Sequence, residues 1–189
     1  MRMCFEAPFK MPITPLHPAV AYLLNRWQRK LSLPALIVGT MAPDLEVPFI
    51  WLVTDGVYNR LILHSLLGAA VFGTLIASLL TVFAYPIAVS SIFSLDKREV
   101  EEKCHFSSML VFCCFVGSLS HALIDSLHHN FNPLLYPFVN ESFDAFVLKS
   151  TVISSTALVS FPMIALLSII LILEIRKGKE GFWKRVLVG

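Results

Sequence analysis

The chain has 189 residues, 56% of them hydrophobic and only 15% charged, with a mean hydropathy of +0.73. A soluble domain carries about 25% charged residues, so this sequence lacks the polar surface a water-facing globule needs and reads as an all-α integral membrane protein. Its formal net charge of +2, with no basic stripe interleaved with aromatics, excludes nucleic acid as a partner.

Met1 to Pro12 carries charges but no continuous apolar stretch, so no cleavable signal peptide is expected. Pro18 to Lys30 reads as a short helix, with Pro18 in its first turn and Arg26, Arg29 and Lys30 in its last. Leu33 to Met41 reads as a second, ending at Ala42-Pro43-Asp44. At about 1.5 Å per residue neither crosses a bilayer unaided, so each is expected to be half-buried, re-entrant or interfacial. Glu46 to Arg60, with Pro48, Trp51, Asp55 and Gly56, reads as an interfacial connection with an aromatic anchor. Three spanning helices follow, at about Leu61–Phe93, Phe106–Leu127 and Val152–Ile175, with Pro86 and Pro162 predicting kinks. The expected fold is one domain over 1–189: a bundle of three long transmembrane helices plus two shorter N-terminal membrane-embedded or interfacial helices, and a basic tail at 176–189. Cys4, Cys104, Cys113 and Cys114 have no metal-binding spacing, and Cys113 and Cys114, inside an apolar run, read as buried thiols.

Lys and Arg set the orientation. With the N-terminus outside, eleven of the fifteen basic residues fall inside, from Arg26 to the Arg176–Arg185 cluster, leaving Arg2, Lys10, Arg60 and Lys149 outside. The expected location is the inner (cytoplasmic) membrane, multi-pass, with a cytoplasmic C-terminus.

Ionisable residues at membrane depth are costly and mark functional sites by default. His121 and Asp125 stand at i and i+4 on one helix face, joined by Ser118 and His128. That pair also suits simple helix-to-helix glue. His64 and His17 taken singly read as interfacial histidines, and Asp44 as a helix cap. The orientation, however, brings His17, Asp44, His64, His121 and Asp125 all to the outward ends of their segments. Three imidazoles and two carboxylates without a thiolate suit zinc, with manganese or iron as alternatives, and leave room for a reactive water. A carboxylate of such a set, Asp44 or Asp125, is the expected catalytic base, and a spare one could hold a second metal. Around this set, Glu46 could orient a ligand but reads first as a solvated loop carboxylate. Arg60 could steady an anionic substrate but reads first as a snorkelling interfacial side chain. His105 and His129 read as interfacial, and Glu141 and Asp144 as exposed.

The same residues carry a resemblance. Met11-Pro-Ile-Thr-Pro-Leu-His17-Pro-Ala, Gly39-Thr-Met-Ala-Pro-Asp44-Leu-Glu, Leu63-His64-Ser-Leu-Leu-Gly68 and Ser120-His121-Ala-Leu-Ile-Asp125 occur in that order. They resemble a family of small uncharacterised membrane proteins that is similar to the inner-membrane, LexA-associated group of metal-dependent hydrolases. Asn132-Pro and Tyr136-Pro137-Phe138 continue the likeness, which spans most of 11–138. It implies His17, Asp44, His64, His121 and Asp125 as the metal set. Where the wider group commonly has a second Asp two residues after the first, this chain has Glu46.

The expected function is therefore a membrane-bound metal-dependent hydrolase acting through a metal-activated water. Its substrate would be a phosphoester of a lipid or lipid-linked compound reached from the bilayer near the outer face. The alternatives are a non-enzymatic metal-binding or regulatory membrane protein and, less favoured for want of inverted repeats, a small ion or solute transporter.

Overall fold

The computed structural model describes residues 16–129, 131–139, 141–143 and 155–189, so Cys4, Asp144 and the start of the third expected span at Val152 lie outside the described residues. All regular structure among them is helical. In chain order it comprises α1 (Pro18–Trp27), α2 (Leu33–Met41), a 3-10 turn (Ala42–Leu45), α3 (Glu46–Val53), α4 (Leu66–Phe93), α5 (Lys97–Cys104), α6 (Ser108–Asp125), α7 (Ser155–Arg176) and α8 (Phe182–Leu187).

Local sequence explains the starts. Hydroxyls of Ser32, Ser65 and Ser107 accept the backbone N–H of Ala35, Gly68 and Leu110, and the Asp96 carboxylate accepts those of Arg98 and Glu99. α1 has no side-chain cap, and its preceding residue, His17, turns its ring elsewhere.

Among the described residues, four helices are long and apolar enough to cross a membrane, where three were expected: Leu33–Val53, Leu66–Phe93, Ser108–Asp125 and Thr156–Arg176. The additional one corrects two expectations. Leu33–Met41 does not stop at Asp44, and Glu46–Val53 is not an interfacial connection but the second half of the same span. Pro43 and Pro48 mislead because each falls in the first turn of a new helical segment, where a missing N–H breaks no bond. Asp44 thus sits midway along its span instead of at the end. The next span starts at Leu66 instead of Leu61, because Ser65 caps it.

Within α4 the ladder widens to the π pattern at Ala69–Gly73 and Leu80–Ala84. The second stretch runs up to Tyr85-Pro86, the place where a proline irregularity was expected; Pro86 has no N–H to return to the preceding turn.

α2 and α6 form the closest pair in the bundle. They meet at Gly39 and Gly117: a Cβ on Gly39 would stand 2.7 Å from the Cys114 carbonyl oxygen, and one on Gly117 would stand 2.9 Å from the Gly39 Cα. Backbones in contact leave no room for side chains there, the usual device for tight helix pairing in membranes. Leu36, Leu110, Cys113 and Cys114 fill the space around this crossing. Cys113 and Cys114 are buried free thiols, as expected, and so is Cys104.

α7 differs from the other spans. Only 6% of its most apolar window is buried against 39–44% for the others, so the described part of the bundle leaves it almost uncovered. Its C-terminal end is fastened by charge: Glu174 binds Arg26 at 2.8 Å, Lys177 at 2.7 Å and Arg185 at 3.1 Å. The Tyr22 and Tyr85 hydroxyls donate to the carbonyls of Val186 and Leu187. The basic 176–189 segment is therefore partly a helix docked on the bundle.

The Gly39–Gly117 crossing is testable. Gly117→Val forces the α2 and α6 backbones apart and is expected to destabilise the protein by about 1–3 kcal/mol. A thermal melt in detergent reads this as a lower Tm, and an unchanged Tm would refute the close approach.

Candidate metal centre

The cluster is assembled from four places in the chain. The 3-10 turn supplies Asp44. The segment between α3 and α4 supplies Arg60 and His64. The last turn of α6 supplies His121 and Asp125, and the residue before α1 supplies His17. His121 is fully buried, and His17, Arg60, His64 and Asp125 are 2–3% exposed.

Asp44, His64, His121 and Asp125 each present one donor atom to a common point. His64 Nε2 and His121 Nε2 are 3.3 Å apart. His64 Nε2 lies 3.5 Å from Asp44 Oδ1 and 3.5 Å from Asp125 Oδ2, and His121 Nε2 lies 3.4 Å from each. The sixth edge, between the two carboxylates, is within 4.8 Å. A regular tetrahedron with 3.4 Å edges has its centre about 2.1 Å from each corner, the length of a zinc–nitrogen or zinc–oxygen bond.

The imidazoles are set for this role. The Nδ1–H of His64 donates to Glu46 Oε1 at 2.8 Å, and that of His121 donates to the Thr40 carbonyl at 2.8 Å. Each bond fixes the tautomer and turns a lone pair on Nε2 toward the centre. Glu46 is itself held by the backbone N–H groups of Leu61 and Leu63, both at 2.8 Å. It is buried, which corrects its reading as a solvated loop carboxylate.

The carboxylates are less satisfied. Among the described residues, neither oxygen of Asp44 has a hydrogen-bond partner, nor does Asp125 Oδ2. Arg60 Nε approaches Asp125 Oδ2 to 3.2 Å, but off the line a hydrogen bond requires. Asp44, Glu46 and Asp125 contribute three negative charges and Arg60 one positive, leaving −2 in a buried volume when the imidazoles are neutral. Uncompensated buried charge is expensive, and one divalent cation cancels it. Donor type, spacing, tautomer and charge all fit a metal ion, whose identity this donor set leaves among zinc, manganese and iron.

His17, one of the five expected ligands, stands behind the other four. Its Nε2 is hydrogen-bonded to Asp125 Oδ1 at 3.1 Å, and its ring stacks on His121 with centroids 4.1 Å apart. Arg60 is buried, with Nη2 donating to His129 Nε2 at 3.1 Å, because it has carboxylate and imidazole partners inside the fold; it does not snorkel. His129 is correspondingly an interior neighbour of Asp125, 3.7 Å from Oδ1. Burial and the adjacent guanidinium push its imidazole down to about 3, so it is neutral and accepts from Arg60. His128 donates from Nδ1 to the Ile124 carbonyl, and its Nε2 is 4.0 Å from Asp125 Oδ1. Ser118 lies against Gly73 of α4, where a Cβ would come within 2.2 Å of its Oγ, and has no hydrogen-bond partner. His105 and Glu141 are exposed, as expected.

Two contributors had escaped the sequence reading. The Thr40 carbonyl is backbone and leaves no mark in residue type. His129 was legible in principle, since it follows Asp125 by four residues, like the His121–Asp125 pair itself.

The chain belongs to the family described as Domain of unknown function (DUF4184), whose model matches residues 11–167 and so takes in every residue of the cluster. No curated protein matches the chain. No solved structure matches it either.

The Glu46–His64 bond gives a prediction. Outer partners of ligating histidines are worth about 10–100-fold in metal affinity. Glu46→Gln is expected to weaken metal binding by that factor while retaining the fold, as read by competition with a chromophoric chelator and by circular dichroism.

Proposed function

We propose that this DUF4184 protein is a membrane-embedded metal-dependent hydrolase acting on a phosphoester of a lipid or lipid-linked substrate. The observation that carries the reading is the buried −2 charge beside two imidazoles whose lone pairs face the same point. A thiolate-free set rich in carboxylates suits hydrolytic centres better than purely structural ones. The likeness of the motifs to the LexA-associated hydrolase group favours the same class.

A bound divalent ion would supply Lewis acidity and an acidified water. The residues divide the remaining work. His64 and His121 would hold the ion through their Nε2 lone pairs, with Glu46 and the Thr40 carbonyl holding the rings. Asp125, kept in place by His17 and Arg60, would be a third ligand. Asp44, whose oxygens have no hydrogen bond among the described residues, would complete the set and could accept a proton on its other oxygen. The guanidinium of Arg60 faces the side from which an anionic substrate would be neutralised.

The whole chain acts as one membrane domain in this reading. The bias of Lys and Arg orients it in the inner membrane with 176–189 in the cytoplasm. A second reading is a non-enzymatic metal site, favoured by the burial of all four donors.

Elemental analysis of the detergent-purified chain separates these readings from an empty polar network. Wild type is expected to hold at least one equivalent of a divalent metal, and the His121→Ala/Asp125→Ala double variant none. Hydrolysis of phospholipid or lipid-linked phosphate by wild type, lost in Asp44→Asn at retained fold, supports the enzyme. Stoichiometric metal with no turnover on either substrate class favours the non-enzymatic site, and no metal at all refutes both.

A further inference from the structure

Asp125 has two oxygens, and the four-donor group uses only Oδ2. The other oxygen faces a second set of imidazoles. Asp125, His128 and His129 offer donor atoms within 4.8 Å of one another. His17 Nε2 is 3.1 Å from Oδ1, His129 Nε2 is 3.7 Å and His128 Nε2 is 4.0 Å. Two of these rings already have the tautomer a ligand needs. His128 gives its Nδ1–H to the Ile124 carbonyl, and His129 Nε2 accepts from Arg60. Two nitrogens and one oxygen form a partial set suited to zinc or manganese, with the His17 Nε2–H donating to the same oxygen.

We infer that Asp125 is a bridging carboxylate: it binds one metal through Oδ2 and a second through Oδ1, the second held by His128 and His129 with His17 beside it. The inference rests on the first metal proposed above. It also places the second metal away from Glu46, the spare carboxylate nearest in sequence, because Glu46 is committed to His64 and to two backbone N–H groups.

Charge states the condition for filling the second position. Asp44, Glu46 and Asp125 balance Arg60 and one dication. A second dication adds +2 to a buried volume unless a dianion enters with it. Arg60 now occupies the position by donating to His129, and it must turn aside. An incoming phosphate group meets both needs: it brings −2 charge and offers the guanidinium a bidentate partner. The second ion is therefore weak alone and coupled to phosphate, which points to a phosphate monoester or its product as the ligand class of this centre.

Manganese titration of the full chain in detergent, followed by electron paramagnetic resonance, tests this. Without phosphate, one equivalent is expected to bind tightly with the spectrum of an isolated ion. With inorganic phosphate, a second equivalent is expected to bind about ten-fold tighter or more than in its absence. The spectrum should then broaden through exchange coupling across Asp125. His128→Ala/His129→Ala is expected to keep the first equivalent, its control for folding, and lose the second. Saturation of wild type at one equivalent with phosphate present, a second ion without coupling, or two equivalents in the double variant would each overturn the bridge and leave the first site standing. No manganese bound under any condition would remove the first site and the bridge together.

Discussion

Three carboxylates and one guanidinium share one buried volume, and the bundle is organised around that imbalance. In a low-dielectric interior the same charges that would be trivial at a surface decide which groups face one another. Every polar partner near the cluster answers to it. The backbone N–H groups of Leu61 and Leu63 turn toward Glu46, Arg60 stays inside, and His17 leaves its capping position to bind Asp125. What the described residues do not supply is a hydrogen bond to Asp44.

The packing serves the same end. The closeness of α2 and α6 is set by two glycines, and one turn beyond Gly117 and one residue beyond Gly39 stand His121 and the Thr40 carbonyl that holds it. A wider crossing would break that hydrogen bond and release the His121 tautomer. The 3-10 turn has a similar effect on the opposite wall. It changes the helical phase between α2 and α3, so that Asp44 and Glu46, two residues apart, reach His64 on different nitrogens.

The class of fold was legible because hydropathy over twenty residues is a strong signal, and four of the five expected ligands converge because ionisable residues are rare in apolar helices. The misses share a cause. Pro43 and Pro48 look like breakers by type, yet proline is harmless in a first turn, so a full span was divided into a short helix and a loop. Glu46 reads as a solvated loop carboxylate, and Arg60 and His129 as interfacial, because single polar residues near a segment end usually are exposed or interfacial. Their burial depends on one another: Arg60 with Asp125 and His129, Glu46 with His64. Mutual compensation between segments 15 to 70 residues apart has no local signature. His17 shows the reverse limit, since residue type placed it in the cluster but could not say that Asp125 would claim its Nε2.

The two aspartates divide rigidity from adaptability. Asp125 is constrained from several sides: His17 binds Oδ1, Arg60 lies against Oδ2, and His128 and His129 stand within 4.0 Å. Moving it would disturb all of them. Asp44 stands 3.4–3.5 Å from the Nε2 atoms of His121 and His64, and among the described residues neither of its oxygens has a hydrogen bond. A carboxylate without hydrogen-bonded tethers can change between one- and two-oxygen contact with an ion at little energetic cost, whereas a tethered one cannot. A centre whose four donors were all as fixed as Asp125 would be suited to structure alone. Leaving Asp44 untethered in an otherwise over-determined cluster is the feature of this fold that reads as chemistry.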